Sequence, residues 1–559
     1  MNKPKPIQQI DIIKIYETKR CLIVDDLTEV RASYKRMLLS FGAKVIDTAA
    51  NGDQAMDLVK SHQYDIIISD YNLDESKDGQ QVLEELRFMN LLKYTTLYII
   101  ITGESSREMV LGAIENQPDD YITKPISQKM MRTRLDRSLI KHEQFYTIRQ
   151  AIDNRDYIKA LQLCDEGIAA NMRFHWDYVR FKGQIFILMK SFDKAKALYE
   201  EALKEKEFIW AKLGLARTLL ELDQTEGVED ILKSILAIDP RYIEALDLLT
   251  EYYLKEKQYE KAQESIERAT LLSPKSIKRH RQLAEIAEIN HDDETCLRAY
   301  EEAIRWNYNS CHAKPEDYLA MARKTVEITT GRKGKEVIAR AKKAIGVLDR
   351  LKRRFPSDLN QLKSEFVESQ LQSNQGKKTL AKNLFATAEK KLNAAKHKDP
   401  ETQLDHAQSN LLYGDKNKAY NDLSQIAKEN KDKPKIMARI DRISDVPITA
   451  ESKKNAAELS QKGIQAYQRK EFDKAIEIFK EALKIFPNHI GVNLNMIQVV
   501  LAKTDKEGPS EKLYEWCEKC ISKVNGIDAN HNQYERYTFL DKQYNTYYKE
   551  FLAELSKTT

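Results

Sequence analysis

Apolar runs of three to five residues recur through the first 125 positions, each ending in a polar or charged residue. Cys21 to Val24, Lys44 to Asp47, Ile66 to Ile68, Leu97 to Ile101 and a short piece around Tyr121 and Ile122 read as strands. Ile66, Ile67 and Ile68 are apolar without alternation, the pattern of a strand buried on both faces. Between the strands, the spacing predicts helices over 32–39, closed by Gly42, and over 54–60, 80–91 and 107–115, with a last one from about Gln128. Five strand and helix units in about 120 residues predict a doubly wound α/β domain on a five-stranded parallel sheet.

Beyond residue 140 the pattern becomes helical throughout. The helix from Gln128 is expected to run on into the next segment, because MMRTRLDRSLIKHEQFYTIRQAI holds neither Gly nor Pro. Pro240 and Pro274 are 34 residues apart, and Ala262 and Ala269 recur 34 residues later as Cys296 and Ala303. The clearest copy is KGIQAYQRKEFDKAIEIFKEALKIFPNH, with Gly463, Ala475, Phe479, Ala482 and Pro487; Gly183, Ala195, Tyr199 and Ala202 repeat it upstream. Small residues at these places let antiparallel helices approach closely, and proline ends the second helix. A 34-residue period of paired helices resembles the tetratricopeptide repeat (TPR), which implies an all-α superhelix.

Five such repeats are expected between about 147 and 306. Residues 307–430 read as irregular helices with diverged units at Ala381 to Ala388 and Ala419 to Ile426, and the stretch around Pro434 and Pro447 reads as a hinge. Helices near 510–523 and 531–555 are expected to cap the array. The expected division is 1–18 as an N-terminal extension, 19–140 as the α/β domain, 141–306 as repeats, 307–450 as irregular helices, and 451–559 as the last repeat with its caps.

Composition narrows the class. The chain has 559 residues, 42% hydrophobic and 32% charged, with a net charge of +5 that by itself implies neither nucleic acid nor membrane. Its longest apolar runs are about five residues against the roughly 20 that a spanning helix needs, and the N-terminus lacks the apolar core of a secretory signal. A cytoplasmic protein is expected. Six cysteines at 21, 164, 296, 311, 517 and 520 form no disulfide framework, and the lone CxxC of Cys517 and Cys520 reads as helix packing.

The strand ends carry the chemistry. In an open parallel sheet the ligand crevice lies beyond the carboxyl ends of the strands. Asp25 and Asp26, Asp70, Thr102 and Lys124 fall at four such ends. Three carboxylates in one crevice repel unless cations neutralise them, so Lys124 and a hard divalent ion with oxygen ligands, Mg²⁺, are expected there. A carboxylate so placed can attack a phosphoryl group.

The blocks LIVDD, DIIISDYNLDESKDG, IITGES and DDYITKP, with 44 residues from Asp26 to Asp70, 32 from Asp70 to Thr102 and 22 from Thr102 to Lys124, resemble response-regulator receiver domains, the partners of sensor histidine kinases. The resemblance implies a flavodoxin-like fold, Asp70 as phosphoacceptor, and Mg²⁺ on Asp25, Asp26, Asp70 and the backbone carbonyl of Asn72. It further implies that Thr102 contacts the phosphoryl group and Tyr121 rotates, repacking the surface of the helix over 107–115, the strand at 121–123 and the helix from 128. Asn72 and Glu104 stand where the family tunes dephosphorylation, and their polarity suggests a short-lived phosphate. Asp74 replaces the usual proline in a turn one residue longer, and Gly103 the usual alanine.

The function expected is a two-component response regulator whose TPR groove binds a protein, modulating a kinase or another regulator; a homodimer is compatible with this. Groove-facing candidates by repeat phase are Glu244, Asp247 and Glu251, and Ser460, Ile464 and Tyr467. No enzyme activity is expected beyond the receiver's own phosphorylation and dephosphorylation. One alternative is a phospho-regulated nucleic-acid-binding regulator. Arg332 to Arg354 holds ten basic residues, but Val337, Ile338, Ala341, Ile345, Leu348 and Leu351 at helical spacing make them one face of an amphipathic helix. Another is a constitutive TPR scaffold with a vestigial receiver.

Overall fold

Branched residues at β1 (Arg20–Val24), β2 (Val45–Ala49), β3 (Ile66–Asp70), β4 (Leu97–Thr102) and β5 (Asp120–Thr123) build one five-stranded sheet in the order β2-β1-β3-β4-β5. All pairings are parallel, and the register sets Val24 beside Ser69, Asp70 beside Ile101 and Thr102 beside Thr123. The structure is a computed structural model that describes residues 11–73, 77–103, 118–170, 173–394, 399–508, 510–527 and 529–558. The expected helix over 107–115 lies outside the described residues, as do Asp74 and Glu104.

Strand side chains alternate between two apolar cores, as a pleated sheet requires. Cys21, Ile23, Ile66, Ile68, Ile99 and Ile101 face one core with α2 (Thr28–Phe41) and α5 (Gln128–Gln144). Leu22, Val24, Ile67, Tyr98 and Ile100 face the other with α3 (Gly52–Ser61) and α4 (Gly79–Phe88). The first core also takes Tyr16, fully buried on α1 (Ile12–Thr18), so part of the N-terminal extension packs into the α/β domain. Gly42 ends α2 at φ +113°, a left-handed conformation that a side chain would strain.

One expectation fails at the domain junction, because α5 does not continue into the next segment. The helix stops at Phe145 and another begins at Tyr146. The cause is lateral packing: Phe145 is fully buried, with the rings of Tyr178 and Phe181 each at 4.9 Å and Phe174 at 5.9 Å. The Asp153 carboxylate then accepts from the Tyr94 amide at 2.7 Å and the Thr95 amide at 3.0 Å, tying the first repeat to the end of the sheet.

Five helix pairs follow between Tyr146 and Trp306. Gly183 shows why the repeat needs a small residue, since a Cβ there would stand 2.6 Å from the Tyr199 hydroxyl. Each first helix is followed, two positions past its end, by a residue with positive φ, at Arg155, Lys190, Asp223, Lys257 and His291, with values of 54° to 58°. The chain divides into two compact units, Met1–Ile286 with Glu302–Ala313, and Ala287–Glu301 with Lys314–Thr559.

In the second unit, the region read as irregular contains regular helix pairs, 335–354 with 358–374 and 400–413 with 416–429 among them. The proposed hinge holds a helix, Pro434–Ile443, whose Ile436 and Ile440 are buried with Leu404, Leu423 and Ile426. The basic helix Lys335–Arg354 buries Val337, Ala341, Ala344, Leu348 and Leu351, while Ile338 is exposed, so the apolar stripe is rotated from the one expected. Cys517 and Cys520 are buried in the C-terminal core, where Tyr514 packs on Tyr548 and Phe551. Among the described residues, no helix is long and apolar enough to cross a membrane.

Candidate functional site

The parallel register brings four strand ends to one edge of the sheet, and the side chains of Asp25, Asp26, Asp70 and Lys124 meet there. Asp25 follows β1, Asp70 is the last residue of β3, Thr102 the last of β4, and Lys124 follows β5. One carboxylate oxygen from each of Asp25, Asp26 and Asp70 lies within 4.8 Å of the others. Lys124 Nζ stands 2.8 Å from Asp70 Oδ1 and 3.5 Å from Asp25 Oδ2.

The acids are held rigidly. Asp25, fully buried, accepts from the Leu27 amide at 2.9 Å, and Arg31 Nη1 donates to the backbone carbonyls of Asp25 at 2.6 Å and Asp26 at 2.9 Å. Burial pushes the Asp70 and Asp25 pKa values upward despite the pull of Lys124. Burial works against the Lys124 ammonium, but Asp70 and Asp25 outweigh it and raise its pKa. The site therefore has more buried negative charge than its one lysine offsets. A hard divalent cation on carboxylate oxygens would balance it, and the donor set fits magnesium.

Around this centre, Thr102 is fully buried and Tyr121 partly so, while Asn72 is exposed two residues past Asp70. Gly79 lies against the backbone of Asp70: a Cβ there would stand 2.1 Å from the Asp70 carbonyl oxygen. Asp78 caps α4 by accepting from the Gln81 amide, in a capping box.

One residue, Lys275, escaped the sequence reading. Lys275 Nζ reaches Tyr71, next to Asp70, donating to its hydroxyl at 3.1 Å, and meets Asp78 Oδ2 at 3.1 Å. The ammonium also sits 4.9 Å from the Tyr71 ring centroid and 5.6 Å from that of Trp306. The Asp78 and Gln81 capping pattern was visible in the sequence. Nothing in the repeat marked Lys275, which follows Pro274 like any other loop lysine.

The repeat candidates fare differently. Glu244 is ion-paired with Arg217, and Asp247 takes the Arg279 guanidinium at 2.7 and 2.6 Å, so two of three acids are engaged within the chain; Glu251 is exposed. Ile464 and Tyr467 line a cavity of about 250 Å³ with Asn495, Gln498 and Arg536, and Ser460 is half-buried on the same helix.

Residues 21–136 match the response regulator receiver domain family, and residues 186–252, 243–276 and 456–489 match tetratricopeptide repeat families. The chemotaxis protein CheY-3 of Vibrio cholerae is 28% identical over 118 residues, 21% of this chain and 89% of that protein. The chemotaxis protein CheY of Bacillus subtilis is 29% identical over 120 residues, 22% of this chain and 97% of that protein. A solved CheY-like response regulator receiver domain protein from Methanospirillum hungatei is 25% identical and covers 22% of this chain and 97% of its own, with a TM-score of 0.21.

Proposed function

Because the chain joins a response regulator receiver domain to tetratricopeptide repeats, we propose that Asp70 takes a phosphoryl group from a sensor histidine kinase and that the repeats pass the change to a protein partner. The observation that carries this reading is the contact of Asp70 Oδ1 with Lys124 Nζ at 2.8 Å, beside Asp25 and Asp26.

The Asp70 carboxylate is the nucleophile. Its oxygen forms a bond to phosphorus as the bond from phosphorus to the donor imidazole breaks, and the imidazole keeps the bonding pair and takes up a proton. Lys124 holds the carboxylate ionised and meets the developing charge on the phosphoryl oxygens. Thr102, at the end of β4, offers its hydroxyl to a phosphoryl oxygen. Asp25, Asp26, Asp70 and the Asn72 carbonyl would hold Mg²⁺, which supplies charge neutralisation when bound.

The response is a population shift. Drawing Thr102 toward the phosphoryl group opens space for Tyr121. The partner is a kinase or another regulator, and a cytoplasmic location follows from the kinase it requires. The receiver's own phosphorylation and dephosphorylation are the only chemistry in this reading. A nucleic-acid role is weakened because Arg340 pairs with Glu294 and Glu336, Lys343 with Glu301, and Lys352 with Asp349 and Glu368.

The test incubates the full chain with a small phosphodonor and Mg²⁺ and reads intact mass, beside Asp70→Asn. A phosphoryl adduct on the wild type and none on the variant supports the reading. An unmodified wild type leaves a constitutive scaffold.

A further inference from the structure

A second cluster of ligand-type side chains lies away from the acidic crevice. Glu84, on α4, meets Cys311 and His312, from the turn before the helix Pro315–Thr329, and one ligand atom from each lies within 4.8 Å of the others. His312 is 6% exposed, and its Nε2 stands 3.0 Å from Glu84 Oε1 yet makes no hydrogen bond. Nε2 has no aligned hydrogen-bond partner and lies in a cluster with a carboxylate oxygen and a sulfur, the relation of ligands that share a cation. In a tetrahedral zinc site, ligands about 2.0 to 2.3 Å from the metal stand roughly 3.3 to 3.8 Å from each other, so Nε2 and Oε1 at 3.0 Å would part by a few tenths of an ångström on binding.

The ring is fixed from several sides. The Phe88 ring meets it edge-on with centroids 5.0 Å apart, the Arg281 guanidinium donates to the His312 carbonyl at 3.1 Å, and the His312 amide donates to Ser310 Oγ at 3.1 Å. A half-buried thiol, an imidazole and a carboxylate form the borderline-soft donor set that suits zinc and excludes magnesium.

We propose that Glu84, Cys311 and His312 bind one zinc-class divalent ion, with water in the fourth position. The thiol gives up its proton to solvent as the sulfur takes the metal. The ion joins the helix that follows the phosphorylation loop to a turn of the repeat region, so occupancy fastens the receiver to its repeats. The site does not depend on whether Asp70 is phosphorylated.

The experiment titrates the metal-free full chain with Co²⁺, in excess Mg²⁺ to occupy the acidic crevice, and reads the thiolate-to-cobalt charge-transfer band. The crevice has no sulfur, and the other five cysteines are buried. One equivalent is expected to give the band, Zn²⁺ to abolish it by displacement, and Cys311→Ser to lack it. Glu84→Gln and His312→Gln are each expected to weaken Zn²⁺ binding at least about tenfold, measured against a chromophoric chelator. No band in the wild type, or a band surviving Cys311→Ser, overturns the proposal. The Glu84 side chain is 29% exposed, so Glu84→Gln keeps a folded variant in hand, and unchanged Zn²⁺ affinity in it is equally fatal.

Discussion

Lys275 Nζ sits 3.1 Å from Asp78 Oδ2, so a lysine of the repeats grips the residue that caps α4, the helix after Asp70. Asp78 spends one oxygen on the Gln81 amide and the other on Lys275. The N-terminus of α4 is thereby tied to the helical region directly.

Lys275→Ala is expected to cost about 2 kcal/mol, the scale of hydrogen bonds to a charged group. Lys275→Met, which keeps the aliphatic stem, separates packing from charge. Hydrogen exchange should show faster opening of 78–88 in both variants, and unchanged exchange would mean the contact adds nothing.

Gly79→Ala pushes a methyl against the Asp70 carbonyl, which stands 2.1 Å from where the Cβ would be. Overpacking by backbone against backbone is expected to cost about 3 kcal/mol. Thermal unfolding reads the loss, and phosphorylation of Asp70 should fall with it because the acceptor loop is displaced.

Mg²⁺ is expected to stabilise the wild type, by about 1.4 kcal/mol for each tenfold increase once the ion is above its dissociation constant. Asp26→Asn removes one of three converging carboxylates, so its melting temperature should respond less to Mg²⁺ in calorimetry. An equal response would place the ion elsewhere.

His142 predicts an acid limit. Burial, with help from Arg149 and Lys19, lowers its pKa from 6.5 to about 3. The unfolded chain then binds a proton that the folded chain refuses, so stability falls as pH drops below 6.5 and goes on falling to about 3. The slope is about 1.4 kcal/mol per pH unit, and His142→Gln should reduce it in denaturant titrations at pH 5 to 7.

Asp405 is fully buried between Arg323 and Arg439, and the two guanidiniums lower its pKa against the effect of burial. Asp405→Ala leaves the two guanidiniums with Glu401 as the carboxylate they share, and is expected to cost about 3 kcal/mol, read by chemical unfolding of the second unit. Replacing all three residues with apolar ones should recover most of the loss.

The sequence by itself determined the strands, their order along the chain, the acidic crevice and the 34-residue period. Those features rest on local causes: runs such as Ile66 to Ile68 must be buried on both faces, and small residues such as Gly183 must lie where helices touch. The break at Phe145, the rotation that exposes Ile338, and the meeting of Lys275 with Asp78 and of Glu84 with Cys311 and His312 were decided only by tertiary structure. The reason is physical. Residues about 200 positions apart carry no shared period, and the partner of a side chain is set by packing between elements, which no local pattern encodes.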